Sequence, residues 1–257
     1  MHEYLRAVGF SSFEDNHQVD DFILKNIEDS FLISSFIIPN GHIYGQYKIP
    51  LSSSFGISVV GEQNDNKVFL KEYYFPTIKG YDPLVIQECT IQRHSEKETF
   101  AGIVDDYKLG VALIFFVTNP NQYQSMLKKK DKKAIGINRI FLSALSNSGT
   151  IILPLEKSIY KEKNNKKDGD DIYTVVDSSF IPYGIECDKY NILGEILSVS
   201  TKTNKFTKEK VHEMRISTMG LEITLAINAI DLVGEPKPGR RFKGQIWLQG
   251  EIEFLEK

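Results

Sequence analysis

The chain has 257 residues, 41% of them hydrophobic and 25% charged, with a formal net charge of −3. Those values suit a soluble globular protein with a sizeable core, and the mild acidity excludes a whole-surface electrostatic footprint for nucleic acid. Cys89 and Cys187 stand in no C-x-x-C pair, so a disulfide framework and a thiolate metal site are both unsupported, and neither metal nor cofactor is expected.

The first residues, "MHEYLRAVGF", have no basic region followed by an apolar run, so no secretory signal is expected. The most apolar stretches, "SFLISSFIIP" and "LGVALIFFV", are about half the roughly twenty residues that a membrane helix needs. A cytoplasmic protein without membrane association follows as the expectation. "YLRAVGF" reads as a short strand. A helix then starts at Ser11 or Asn16, because Val19, Phe22, Ile23 and Ile27 recur at helical spacing opposite Asp20, Asp21, Lys25, Asn26 and Glu28.

Strand signals dominate next. "HIYGQYKIPL", "FGISVVGE" and "KVFLKEYYFP" are rich in aromatic and β-branched residues and are divided by the turn formers "SSS" and "QNDN". Further strands are expected up to Arg93, across Ala101–Val104, and from Leu109 to Thr118, the last apolar on both alternations and so covered on both sides. Asn119 as a cap and Pro120 at the first helical position predict a short helix to Lys129. "INRIFLSAL" and "TIILPL" flank "SNSG", which reads as a hairpin turn. The charged stretch from Glu156 to Asp171 reads as a loop or linker.

From Ile192 onward the pattern is all strand: "ILGEILSVSTKT", "VHEMRIST", "LEITLAIN" and a closing strand in "GRRFKGQIWLQGEIEF". In that closing strand Phe242, Gly244, Ile246, Leu248, Gly250, Ile252 and Phe254 share one face, while Arg241, Lys243, Gln245, Trp247, Gln249, Glu251 and Glu253 share the other. Trp247 thus falls on a polar face and needs a contact there. The expected fold class is α+β, mostly antiparallel β with two helices and a C-terminal barrel-like, OB-like unit. The expected division is an α+β domain over 1–155, a charged connecting segment over 156–190, and an all-β unit over 191–257.

The densest ionisable stretch is "QRHSEKETFAGIVDD". Folded as a hairpin, it would bring His94, Glu96 or Glu98 near Asp105 and Asp106, a set able to do general acid/base chemistry or hold a hard divalent cation. The competing reading is a solvated hairpin with charges paired across strands. His2, His17, His42 and His212 are scattered without ligand spacing, and no nucleophile elbow or phosphate loop occurs. Two basic runs remain. "LKKKDKK" follows the helix ending at Lys129. Lys202, Lys205, Phe206, Lys208 and Lys210 tip a hairpin, where an aromatic among lysines could stack on single-stranded nucleic acid, although Glu209, Glu213 and the net charge oppose it.

"EYYFP" (Glu72 to Pro76), "QRHSEKETFAGIVDD" with "GVALIFFVTN" after it, and "GRRFKGQIWLQGEI" (Gly239 to Ile252) resemble an uncharacterised bacterial family, a domain of unknown function found chiefly in clostridia and related Gram-positive bacteria. The resemblance runs from "YLRAVGFS" to the closing strand. It implies a cytoplasmic bacterial protein of one full-length architecture and supplies no catalytic residue.

The leading functional expectation is a non-enzymatic module that binds a protein partner or self-associates, with Tyr73, Tyr74 and Trp247 as contact residues, since tyrosine and tryptophan are enriched at interfaces. The alternatives are a hydrolase or metal-assisted enzyme built on His94, Glu96, Glu98, Asp105 and Asp106, and a single-stranded nucleic-acid binder using Lys205, Phe206 and Lys208.

Overall fold

In the computed structural model the described residues are 1–64, 69–86, 89–93, 99–104, 112–129, 137–163, 172–184 and 188–254. The chain opens not as a strand but as a 3-10 helix, Glu3–Val8, whose Tyr4, Leu5, Ala7 and Val8 are buried. His2 Nδ1 accepts from the Tyr4 amide at its start, and Gly9 at φ +88° ends it. Near-total burial across helical rather than alternate positions explains why a strand pattern fails here. Helix α1 covers Asn16–Asn26, capped by Asp15, whose carboxylate accepts from the Gln18 amide at 2.9 Å.

Four strands follow, β1 (Phe31–Ile37), β2 (Ile43–Pro50), β3 (Phe55–Gln63) and β4 (Phe69–Ile78), and they pair antiparallel in chain order as one sheet. The expected strands are β2, β3 and β4; β1 is an addition, in the run "SFLISSFIIP". The chain then gives β5 (Pro83–Val85), β6 (Thr90–Arg93), β7 (Phe100–Val104), β8 (Leu113–Val117) and α2 (Pro120–Lys129). After these come β9 (Ile137–Ile152), α3 (Leu155–Lys163), β10 (Ser179–Pro182), β11 (Lys189–Thr203), β12 (Lys210–Thr218), β13 (Leu221–Asn228), β14 (Leu232–Val233) and β15 (Arg241–Phe254). The second sheet runs β10-β11-β12-β13-β9-β15-β8-β7-β6. It is mixed rather than antiparallel throughout, because β9 lies parallel to β13 and β8 parallel to β15. The fold is therefore mostly strand with few helices.

Two features depart from the expected elements. "SNSG" does not turn the chain: β9 runs through it as one strand, paired with β15 on both sides, Gln245 with Ser148 and Trp247 with Leu145. A bulge there takes up the irregularity, and Ser146 Oγ donates to the Ser148 and Gln245 carbonyls. The charged stretch after Pro154 starts as α3 rather than as a loop, and residues 164–171 lie outside the described set.

Strand β15 also pairs through Arg241–Trp247 with Lys189–Glu195 of β11. The pairing path β11-β12-β13-β9-β15 thus returns to β11. Side chains on its inner faces, among them Ile192, Ile216, Ile223, Leu225, Phe242, Ile246 and Leu248, form one core. A second core lies on the other face of the same strands, where Leu145, Val211, Ala226 and Trp247 meet Tyr4, Leu5, Val19, Ile23, Ile49, Ile57 and Phe75. Phe115 lies against Gly102 and Gly250 on its two neighbouring strands, where a Cβ would stand 2.2 and 2.3 Å from the ring. Glycine on the core face of the closing strand therefore serves close ring packing.

Candidate functional site

His94, Glu96, Glu98, Asp105 and Asp106 all lie outside the described residues. What is described is their frame: β6 and β7 pair antiparallel, with Arg93 opposite Phe100. Among the described residues no three His, Cys, Asp or Glu side chains converge as metal ligands would.

Trp247 is 5% exposed. Its ring stacks on Tyr4 at 5.4 Å, meets Phe116 at 4.8 Å and His2 at 4.7 Å, and its Nε1 donates to Asp188 at 2.8 Å. The tryptophan on the polar face is thus covered by the chain's own first residues. Tyr73 and Tyr74 sit on β4, neither fully exposed. Tyr73 stacks near Phe75 at 6.1 Å, and burial pushes its hydroxyl pKa well up. The Tyr74 hydroxyl accepts from the His2 amide at 3.1 Å, and Lys71 lies 5.0 Å over its ring. Beside them Tyr44 donates to Glu72, and burial, then that carboxylate, raises its pKa.

The loop carrying Lys205, Phe206 and Lys208 is tied to the N-terminal segment. Asn204 is fully buried and donates to the Val8 carbonyl at 2.9 Å, and Thr207 donates to the Gly9 carbonyl at 2.6 Å. Phe206 meets Phe22 edge-on at 4.9 Å while Lys205 lies 4.7 Å over its own face. A cavity of about 350 Å³ opens between Asp82, Leu84, Leu142 and Leu221. The charges on its wall answer each other: Arg215 donates to both Asp82 oxygens at 2.7 Å and also pairs with Glu222.

Among the described residues, β1 carries a run of exposed apolar side chains. Phe31, Leu32, Ile33 and Ile37 are 65, 54, 44 and 70% exposed, and Ile43, opposite Ile37 on β2, is 41% exposed. From Ser30 to Gly41 there is no charged residue. The hairpin to β2 is fixed by Asn40, whose side-chain carbonyl accepts from the His42 amide at 3.1 Å, and by Gly41 at φ +88°, whose amide donates to Ile38 at 2.9 Å. Helix α2 also contacts β1 and still leaves those four apolar side chains at their stated exposure.

The four strands that end the two sheets differ in how their edges are protected. β4 carries Lys71, Glu72 and Pro76; β6 is four residues long and carries Arg93; β10 is four residues long and ends at Pro182. Charge, proline and shortness are what natural sheets use to keep an edge from pairing with another chain. β1 has seven residues and neither charge nor proline, though a bulge interrupts it between Leu32 and Ser34 and α2 runs against it. The run "SFLISSFIIP", too short for a membrane helix, has the β-branched, charge-free composition of a strand.

A family model, described as a domain of unknown function, E. rectale gene description (DUF3881), matches residues 5–170 and 159–250. No curated protein and no solved structure matches the chain.

Proposed function

The chain belongs to the DUF3881 family, a domain of unknown function, and we propose that it is a non-enzymatic binding module whose working surface is the β1 edge. One observation carries the reading: β1 ends its sheet with an exposed, apolar, charge-free edge while the other sheet ends are short, charged or closed by proline. An edge strand offers backbone N–H and C=O groups to an extended segment, and the exposed Ile33 and Ile37 offer it apolar contacts. Behind it, the ring β11-β12-β13-β9-β15 supports a reading as a small barrel of OB-like pairing, which serves as the rigid base for the first sheet. The outer face of that ring is covered by the chain's own N-terminal core, and Phe206, 38% exposed, meets Phe22 edge-on, which supports a structural role for that loop. No helix among the described residues is long and apolar enough to cross a membrane.

The test uses a fluorescent, lysine-flanked peptide of alternating valine and threonine, titrated with protein at concentrations too low for self-pairing. Its anisotropy rises with wild type and stays flat with Ile33→Lys/Ile37→Lys. A flat titration with wild type, or an equal rise with the variant, ends the reading.

A further inference from the structure

We infer that the seam between the first sheet and β15 is a second binding site, in which the Lys48 amine forms an imine with a small 2-oxo acid. The argument starts from the surroundings of that side chain. Lys48 lies on β2 two positions from Gln46, whose amide donates to the Thr118 carbonyl at 2.7 Å, so both face the second sheet. The lysine is half-buried, and its ammonium has no hydrogen-bond or ion-pair partner among the described residues. Its stem crosses Gly56: Lys48 Cε is 3.1 Å from where a Cβ on that glycine would stand. A cation drawn out of water normally finds an acceptor, so one without any marks a place where the neutral amine serves.

Around the end of that stem stand Thr77, Lys79, Gln249 and Glu251. Thr77 is the ladder partner of Gly56, so its side chain shares the lysine's face, and its hydroxyl is buried with no partner. Gln249 is fully buried; its Nε2 donates to the Pro76 carbonyl at 2.8 Å, which turns Oε1 away and leaves that oxygen unpartnered as well. Lys79 follows Thr77 by two residues. Glu251 follows Gln249 by two, and its ladder partner Phe141 abuts Gly80, beside Lys79. Lys79 and Glu251 are exposed, whereas Thr77 and Gln249 lie buried beneath them. Burial pulls the Lys48 pKa below the ordinary lysine value; Glu251 opposes this and Lys79 adds to it.

These groups suit one chemistry. The free amine adds to the carbonyl carbon while the C=O electron pair moves to oxygen. An N–H proton passes to that oxygen, and loss of water leaves the C=N bond. The Thr77 hydroxyl donates to the carbonyl oxygen, and Gln249 Oε1 accepts from the hydroxyl of the carbinolamine. Lys79 supplies positive charge for a carboxylate next to the carbonyl, which selects a 2-oxo acid over a simple ketone. A plain anion would answer the lysines but set its charge against Gln249 Oε1.

The test incubates the full chain with pyruvate and cyanoborohydride and maps the reduced adduct by mass spectrometry. It forms at Lys48 at least about 10-fold faster than at the exposed Lys25 and Lys243. With methyl pyruvate, whose carboxylate is masked, that preference falls about 3-fold, as loss of an ion pair at the surface implies. Thr77→Val removes a hydroxyl that has no partner in the fold, so the urea midpoint stays level or rises, yet labelling of Lys48 by pyruvate slows about 3-fold for the lost hydrogen bond. Labelling spread evenly over the lysines, or absent from Lys48, overturns the inference. So does an undiminished preference with the ester, or a Thr77→Val protein that labels at the wild-type rate.

Discussion

Arg241 illustrates how a residue on the polar alternation of a strand can be structural. It is 2% exposed, and its guanidinium donates to the Leu153 carbonyl at 2.9 Å, the Thr174 carbonyl at 2.6 Å, the Ser158 hydroxyl at 2.9 Å, and the carbonyls of Val176 and Asp177. Burial pulls its pKa down and Asp177 pulls the other way. The fork thereby holds α3 and the segment around 174–177 against β15. Arg241→Met leaves those buried acceptors without donors, at a cost of about 3–5 kcal/mol, comparable to breaking a buried ion pair; the midpoint of urea unfolding measures it, and a change under about 1 kcal/mol refutes the role. His212 offers a pH test. Its pKa is lowered, first by burial and then by Lys210, below the ordinary 6.5. The unfolded chain therefore binds the proton first as the pH falls through 6.5, and stability declines over that range. His212→Gln removes this part of the slope between pH 7 and 5.5, whereas carboxylates with depressed pKa, such as Glu62, act only below about 4.5.

Elements were legible where local chemistry decides them. Pro120 marks the first residue of α2, and the Asn119 backbone carbonyl accepts from the Tyr123 amide, although the Asn119 side-chain oxygen accepts from the Ile252 amide rather than capping its own helix. The hairpin β12–β13 turns at Met219 and Gly220, both with positive φ, as the sequence between two alternating runs suggests. "SNSG" shows why the same kind of evidence fails elsewhere. Its glycine is there for room: a Cβ on Gly149 would lie 2.2 Å from the Phe242 ring, on the paired strand. Nothing local reveals a partner 93 positions away in the chain, so turn composition and close approach look alike in one sequence. Gly149→Ala should then cost about 1–3 kcal/mol by overpacking. Phe242→Leu in the same chain should relieve part of that cost, so that a double-mutant cycle gives a coupling of at least about 0.5 kcal/mol. Purely additive losses would mean that the strain at Gly149 is in the backbone and not against the ring. The strand β1 was missed for a related reason: an apolar run without alternation carries no period to read, and the burial of Ser34 and Phe36 but not of their neighbours is a property of the assembled sheet.

At the scale of the molecule, the closing strand explains why alternation misled for Trp247 and Arg241 together. Its odd-numbered face was expected in water, but that holds only for Lys243 and Glu251, which are exposed; Trp247 and Gln249 lie beneath the first sheet and the opening 3-10 helix. A second layer cannot be seen from the strand it covers. The consequence is that neighbouring residues serve opposite cores: Phe115 and Phe116, Ala144 and Leu145, Leu225 and Ala226, Ile246 and Trp247. Strands shared in this way cannot lose one core and keep the other, so the two sheets should unfold in one cooperative step. Trp247, the single tryptophan, reports the outer core by fluorescence, while far-UV circular dichroism reports the strands of both. The two urea transitions should coincide. Tyr4→Ala, which strips the ring stacked on Trp247, should lower both by the same amount, about 3 kcal/mol by analogy with other buried aromatic truncations. If fluorescence instead unfolds first and leaves the dichroism of the β11-β12-β13-β9-β15 ring in place, the N-terminal sheet is a separable cover, and the β1 edge then rides on a unit able to detach from its base.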